Sequence, residues 1–103
     1  MFDHDVVWRV RGDNPMTGEY TGWREVVRFL RRTTDETNGT YRSELQWTVA
    51  DDEKGVAVYR ARGIRNGNSS DVQIVLLCKF VDGRIAEATA VPADANEFNA
   101  FWS

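Results

Sequence analysis

Cysteine is almost missing: Cys78 stands alone among 103 residues, which excludes an intramolecular disulfide and any multi-cysteine metal site. Histidine is as scarce, with His4 the single example, so no His-x-x-x-His pair or Cys/His cluster exists to hold a transition metal. Asp51-Asp52-Glu53 is acidic, but three consecutive turn residues do not make a calcium loop. No apolar run approaches the roughly 20 residues of a membrane span. The first five residues also lack the charged-then-apolar pattern of a signal peptide. A clustered basic surface, which phosphate binding calls for, is not indicated by a net charge of −3. Repeats and low-complexity tracts are absent. These absences point away from metal, membrane and nucleic acid, with a cytoplasmic address as the default.

What is present suits one globular domain over residues 1–103, with 42% apolar and 28% charged residues. A chain this short buries a single core. Residues 4–10 alternate, with Val6, Trp8 and Val10 on one side and Val7 and Arg9 on the other, which predicts a strand. Turn formers break it at residues 11–15. Thr21-Gly22 opens a helix with Gly22 as N-cap and Glu25 in the first turn. Its expected apolar face is Trp23, Val26, Val27, Leu30 and Thr34, opposite a solvated arginine face at Arg24, Arg28, Arg31 and Arg32. Asn38-Gly39 ends it, because both tolerate the left-handed backbone.

From Thr40 the period returns to two. Tyr41, Leu45, Trp47 and Val49 are expected on one face, up to a turn at residues 51–54. Further strands follow at residues 56–64, 72–81 and 84–91, joined by turns at Asn66-Gly67 and Asp82-Gly83. The tail, residues 94–102, predicts a short helical lid or docking segment carrying Phe98, Phe101 and Trp102.

The Asp82-Gly83 turn sets a register. Pairing Val81 with Arg84 places Phe80 opposite Ile85, Cys78 opposite Glu87, Leu76 opposite Thr89 and Ile74 opposite Val91. One hairpin face is then the core or cavity side, with Leu76, Cys78, Glu87 and Thr89 on it. The other, with Val75, Leu77, Ala88 and Ala90, is too apolar for a solvated face. A second copy of the chain is the simplest cover, so a homodimer through those residues is expected.

The local wording carries a family resemblance. Asp5-Val6-Val7-Trp8, the run from Gly12-Asp13-Asn14-Pro15 through Gly18-Glu19-Tyr20-Thr21-Gly22, then Glu25-Val26 and Phe29-Leu30 follow one another in a recognisable order. With Ala50-Asp51-Asp52, Val81-Asp82-Gly83-Arg84-Ile85 and Phe101-Trp102, the chain resembles the SnoaL-like branch of the NTF2-like superfamily over nearly its whole length. The resemblance implies an α+β fold, a curved antiparallel cone packed on one main helix. It also implies cofactor-free chemistry on an apolar carbonyl compound, such as isomerisation or cyclisation, in a small-molecule pocket. Two departures stand out. Such proteins ordinarily open with one or two further helices that close the cone, and this sequence starts where those should end. Many relatives also carry a polar residue at the position of Leu76 and an aromatic at that of Thr89.

Three residues are candidate acids or bases. Glu87 is an acid on an otherwise apolar face, with a salt-bridged edge residue as the plainer alternative. Asp13 lies in the loop after the first strand, where the alternative is a turn aspartate bonding its own backbone. His4 shares a parity with Val6 and Trp8, at a chain position prone to fray. Candidate ligand contacts are Trp8, Val10, Leu30, Leu76, Cys78 and Thr89. Trp23, Trp47, Tyr41 and Tyr59 could line a cavity or be plain core. Catalysis stays open at this point: the other reading is a non-catalytic dimeric interaction module with a degenerate or open pocket.

Overall fold

Residues 2–103 are described by a computed structural model. Alternation in the sequence becomes a six-stranded sheet ordered β2-β1-β6-β5-β4-β3. The strands are β1 (Phe2–Val10), β2 (Gly18–Thr21), β3 (Arg42–Ala50), β4 (Lys54–Arg65), β5 (Asn68–Val81) and β6 (Arg84–Pro92). Helix α1 (Trp23–Asp35) lies between β2 and β3 in the chain, and α2 (Ala95–Trp102) closes it. The class is α+β, as the alternation and the resemblance both implied. All neighbouring strands are antiparallel except β1 and β6, which run parallel. No helix among the described residues is long and apolar enough to cross a membrane.

The turns form where their local chemistry requires. Asn66 and Gly67 take φ of 52° and 79°, and Asp82 and Gly83 take 51° and 75°, the paired left-handed conformations of a two-residue hairpin. Asp51 Oδ1 accepts from the N–H groups of Glu53 and Lys54, both at 2.8 Å, which fixes the β3–β4 turn. Gly22 is the N-cap of α1, and Glu25 reaches back to the Thr21 N–H at 3.0 Å. After α1 the Gly39 N–H bonds Thr34 O at 2.8 Å. The buried Thr37 hydroxyl donates to Thr33 O at 2.7 Å and accepts from the Tyr41 N–H at 3.2 Å, tying the helix end to β3. β2 was not expected: four residues beginning with glycine give too short a pattern to read, and the strand exists by pairing with β1.

Two bulges overturn the expected faces. Between β5 and β6 the register runs Val81↔Arg84 and Phe80↔Ile85 as expected, then Lys79↔Glu87, Cys78↔Ala88, Leu77↔Thr89 and Leu76↔Ala90. Ala86 is the extra residue, and one inserted residue sends every later side chain of β6 to the opposite face. Ala88 and Ala90 therefore lie in the core, 0% and 5% exposed. They are not on the outer face where the dimer contact had been expected. Glu87, Thr89 and Val91 are the ones that face outward, beside Val75 and Leu77. The exchange has a packing reason. Ala88 lies opposite Trp8 and Ala90 opposite Val10 on β1, and small side chains there leave room for the indole.

A second bulge lies between Leu45 and Trp47 on β3. Leu45 stays opposite Tyr59 on the inner face, whereas Trp47 and Val49 oppose Val58 and Val56 on the outer one, so Leu45, Trp47 and Val49 do not share a face.

Helix α1 is rotated from its expected seat. Val26, Phe29 and Thr33 are its buried residues, while Trp23, Val27 and Leu30 are 41%, 37% and 39% exposed. The helix has apolar residues on two adjacent stripes, and only packing against β1 and β2 decides which is buried. Helix α2 is core rather than lid. Asp94 caps it by accepting from the Glu97 N–H at 3.0 Å, and Phe98, Phe101 and Trp102 are buried against the inner face.

Candidate functional site

The inner face of the sheet and the two helices enclose a pocket of about 110 Å³. β1 supplies Trp8 and Val10, α1 supplies Phe29 and Leu30, β3 and β4 supply Ser43 and Tyr59, Tyr41 stands just before β3, and α2 contributes Trp102. The strand period puts the β1 pair inside, and half-exposed Leu30 and exposed Ser43 mark the mouth. Among the described residues, no charged side chain lines this pocket.

Its polar groups are neutral. Burial pushes the Tyr41 phenol up to about 12. Burial also raises the Tyr59 phenol, with Tyr41 and Cys78 adding to the shift. Both hydroxyls stay protonated at any ordinary pH. Trp8 is 8% exposed, and its Nε1–H is buried with no hydrogen-bond acceptor among the described residues. Buried indole N–H groups usually find a partner, and an unmet donor costs about 1–3 kcal/mol.

A second hollow lies on the outer face. It is an open groove of about 680 Å³, with Arg9, Val56, Leu77, Lys79, Glu87 and Thr89 in its walls. Arg9 Nη1 lies 2.9 Å from Glu87 Oε1, Arg9 Nε lies 2.9 Å from Glu19, and Lys79 Nζ lies 3.8 Å from Glu87 Oε2. The Arg9 hydrogen bond, and then the Lys79 charge, hold the Glu87 carboxyl below its ordinary range. That is the opposite of the raised pKa a general base near neutrality needs.

The expected site residues are thus divided. Trp8, Val10 and Leu30 line the inner pocket. Leu76 packs against the core from the inner face, and Cys78 is buried on that face, where burial raises its thiol pKa and keeps it protonated. Thr89 and Glu87 are not on the inner face but in the outer groove, because of the Ala86 bulge. Asp13 is exposed, and its backbone N–H donates to Asn99 Oδ1 at 2.7 Å. That same oxygen accepts from Asn14 Nδ2 at 2.8 Å. Asp13 is therefore in a loop strapped to α2, not in the pocket. His4 is exposed on β1, unlike buried Val6 and Trp8.

Of the aromatic candidates, Tyr41 and Tyr59 line the inner pocket, whereas Trp23 and Trp47 are 41% and 53% exposed. Sequence reasoning passed over Ser43, although it shares the strand parity of Tyr41. It also passed over Met16, buried in the β1–β2 loop, whose sequence carries no periodic signal. Among the described residues no group of three or more His, Cys, Asp or Glu is placed to hold a metal ion.

Comparison with known proteins agrees with this geometry. No curated protein matches the chain in sequence. The structure is similar to Bal32a, from a soil-derived mobile gene cassette, with a TM-score of 0.95 and 24% identity over 99% of this chain and 79% of that one. A protein of unknown function with a cystatin-like fold from Xanthomonas campestris gives 0.89 and 26%, over 99% and 80% of the two chains. An NTF2-like protein of unknown function from Burkholderia pseudomallei gives 0.83 and 21%, over 99% and 79%. In sequence, the SnoaL-like domain matches residues 1–88. Because that match runs through every element up to the middle of β6, the chain belongs to the SnoaL-like domain family.

Proposed function

We propose that this SnoaL-like domain binds an apolar small molecule in the inner pocket, as a cytoplasmic homodimer whose second copy covers the outer sheet face. The observation that carries the binding reading is the pocket itself: aromatic and aliphatic walls, a few neutral polar groups, and a mouth at Leu30 and Ser43. Apolar walls with a small number of polar groups are the usual make-up of a ligand site. The three catalytic candidates, Glu87, Asp13 and His4, do not line it. That favours binding over proton abstraction beside a carbonyl; an isomerase or cyclase acting through Glu87 would have to work in the outer groove.

The dimer reading rests on a different observation. The outer face exposes Leu77, Val91, Trp47 and Val49 at 47%, 36%, 53% and 62%, a contiguous apolar stretch of the kind that marks an interface. Val75 and Leu77 belong to it. Ala88 and Ala90 do not.

A methyl NMR titration with small apolar compounds tests the pocket. Saturable shifts of the Val10, Leu30 and Ile74 methyls, with those of Val75 and Leu77 unmoved, are expected. Shifts confined to Val75 and Leu77 would move the ligand to the outer groove and overturn the reading.

A further inference from the structure

Helix α1 has surface that the fold leaves unused. Val26, Phe29 and Thr33 are its buried residues. The next stripe round the helix, Trp23, Val27, Leu30 and Thr34, is exposed along its whole length. These four stand at i, i+4, i+7 and i+11, the spacing of one continuous helical face, and they run for about 16 Å along the axis. Beside them lies a row of exposed arginines, Arg24, Arg28 and Arg31. None of the three joins an ion pair among the described residues, whereas Arg32 is held by Glu36 at 2.6 Å. Arg24 lies over the Trp23 ring, 5.5 Å from its centroid, so the cationic row borders the apolar stripe directly. The helix carries four arginines against two acids, Glu25 and Asp35, in a chain of net charge −3. Positive charge is thus concentrated where apolar surface is exposed.

We propose that this face of α1 docks an acidic amphipathic helix of another protein. Apolar side chains of that helix pack on Trp23, Val27 and Leu30, and its carboxylates meet Arg24, Arg28 and Arg31. The complementarity of charge selects the partner. The arginines recur at intervals of four and three residues, the same intervals at which carboxylates recur along one side of a second helix. A guanidinium also pairs with a carboxylate through two parallel hydrogen bonds, which gives the contact a fixed geometry. An anionic bilayer is a poorer match, because its surface would also repel the rest of an acidic chain, whereas a helix meets α1 alone. The seat lies on the helical side of the sheet, away from the outer face, so it stands independently of the dimer.

The probe is a capped synthetic helix of about five turns, with leucine along one stripe and glutamate on its flanks. A second peptide has lysine in place of every glutamate. In the intact wild-type protein the glutamate peptide should saturably shift the Trp23 indole cross-peak and the Val27 methyls, with those of Val75 and Leu77 unmoved. The lysine peptide should leave all of these in place. This comparison needs no variant and so does not depend on one folding. Arg24→Glu, Arg28→Glu and Arg31→Glu made together alter only exposed side chains. They should weaken the glutamate peptide by about 10-fold or more and let the lysine peptide move the Trp23 and Val27 signals. Equal binding of the two peptides by the wild-type protein would overturn the proposal, since the arginines would then select nothing. An inert glutamate peptide would overturn it as well. Shifts of Trp23 and Val27 by phosphatidylserine vesicles, with none from the peptide, would make the face a membrane surface instead.

Discussion

Glu87 lies between two cations, Arg9 on β1 and Lys79 on β5, on the outer face of the sheet. Its carboxyl is therefore easier to ionise in the folded chain than in the unfolded one. A carboxyl with a depressed folded pKa contributes stability that is fully present above its unfolded pKa and is lost as pH falls through the folded value. Glu87→Gln should accordingly lower the melting temperature near neutrality and leave it close to wild type once the pH is well below about 4.3. Circular-dichroism melts across that range check this, and a variant as stable as wild type near neutrality would mean the ion pairs contribute nothing. The effect is modest, because the side chain is 37% exposed and water screens the pair. This residue was legible as an oddity, an acid in an apolar strand. Its partners were not, since Arg9 is 78 residues away and arrives only through the parallel pairing of β1 with β6.

Helix α2 shows how an element of eight residues can hold a small fold together. Trp102 is 2% exposed. Its ring packs 5.3 Å from Tyr41 and 4.8 Å edge-on from Phe101. Arg65 on β4 secures the same end, donating to Phe101 O at 3.1 Å and Ser103 O at 2.7 Å, with Glu36 at 3.0 Å balancing its charge. Trp102→Ala should cost about 3–5 kcal/mol, a large share of the about 5–15 kcal/mol that domains possess. Urea unfolding measures it, and a loss below about 1 kcal/mol would show that α2 is a peripheral strap. The aromatic content of this segment was readable. That the rings form core instead of a movable lid was not, because their seat is made by the inner sheet face, where Gly63 on β4 leaves room: an added Cβ would lie 3.0 Å from the Tyr41 ring and 3.3 Å from the Phe101 ring.

At the scale of the whole molecule, the sheet has one face filled by helices and one face that still exposes apolar side chains. Leu77 is central to the second face and 47% exposed in the single chain, so Leu77→Glu should fold normally. An unpaired charge inside an apolar interface is costly, and light scattering should therefore report a fall from dimer to monomer. Ala88→Glu is the contrast: at 0% exposure it should unfold the chain rather than dissociate it. A Leu77→Glu protein with unaltered mass would remove the outer face as the interface.

The sequence by itself determined most of the elements and their joints, β2 being the exception that exists by pairing with β1. Asn38-Gly39, Asn66-Gly67 and Asp82-Gly83 adopt left-handed backbone because of what their own side chains allow, so each turn is a local decision. The two-residue period of β1 is local in the same way, and it placed Val6, Trp8 and Val10 inside without help from the rest of the chain. The tertiary structure decided the sides. Along Ala86-Glu87-Ala88-Thr89-Ala90 the alternation does not say how it joins the phase of Ile85, and the bulge at Ala86, which brings Ala88 opposite Trp8, appears only in the paired sheet. Likewise the two apolar stripes of α1 differ little in sequence, and contact with β1 and β2 buries Val26 and Phe29. A pocket is made by residues far apart in the chain, so its neutral lining and the lone N–H of Trp8 emerged only when β1, β3, β4 and both helices came together.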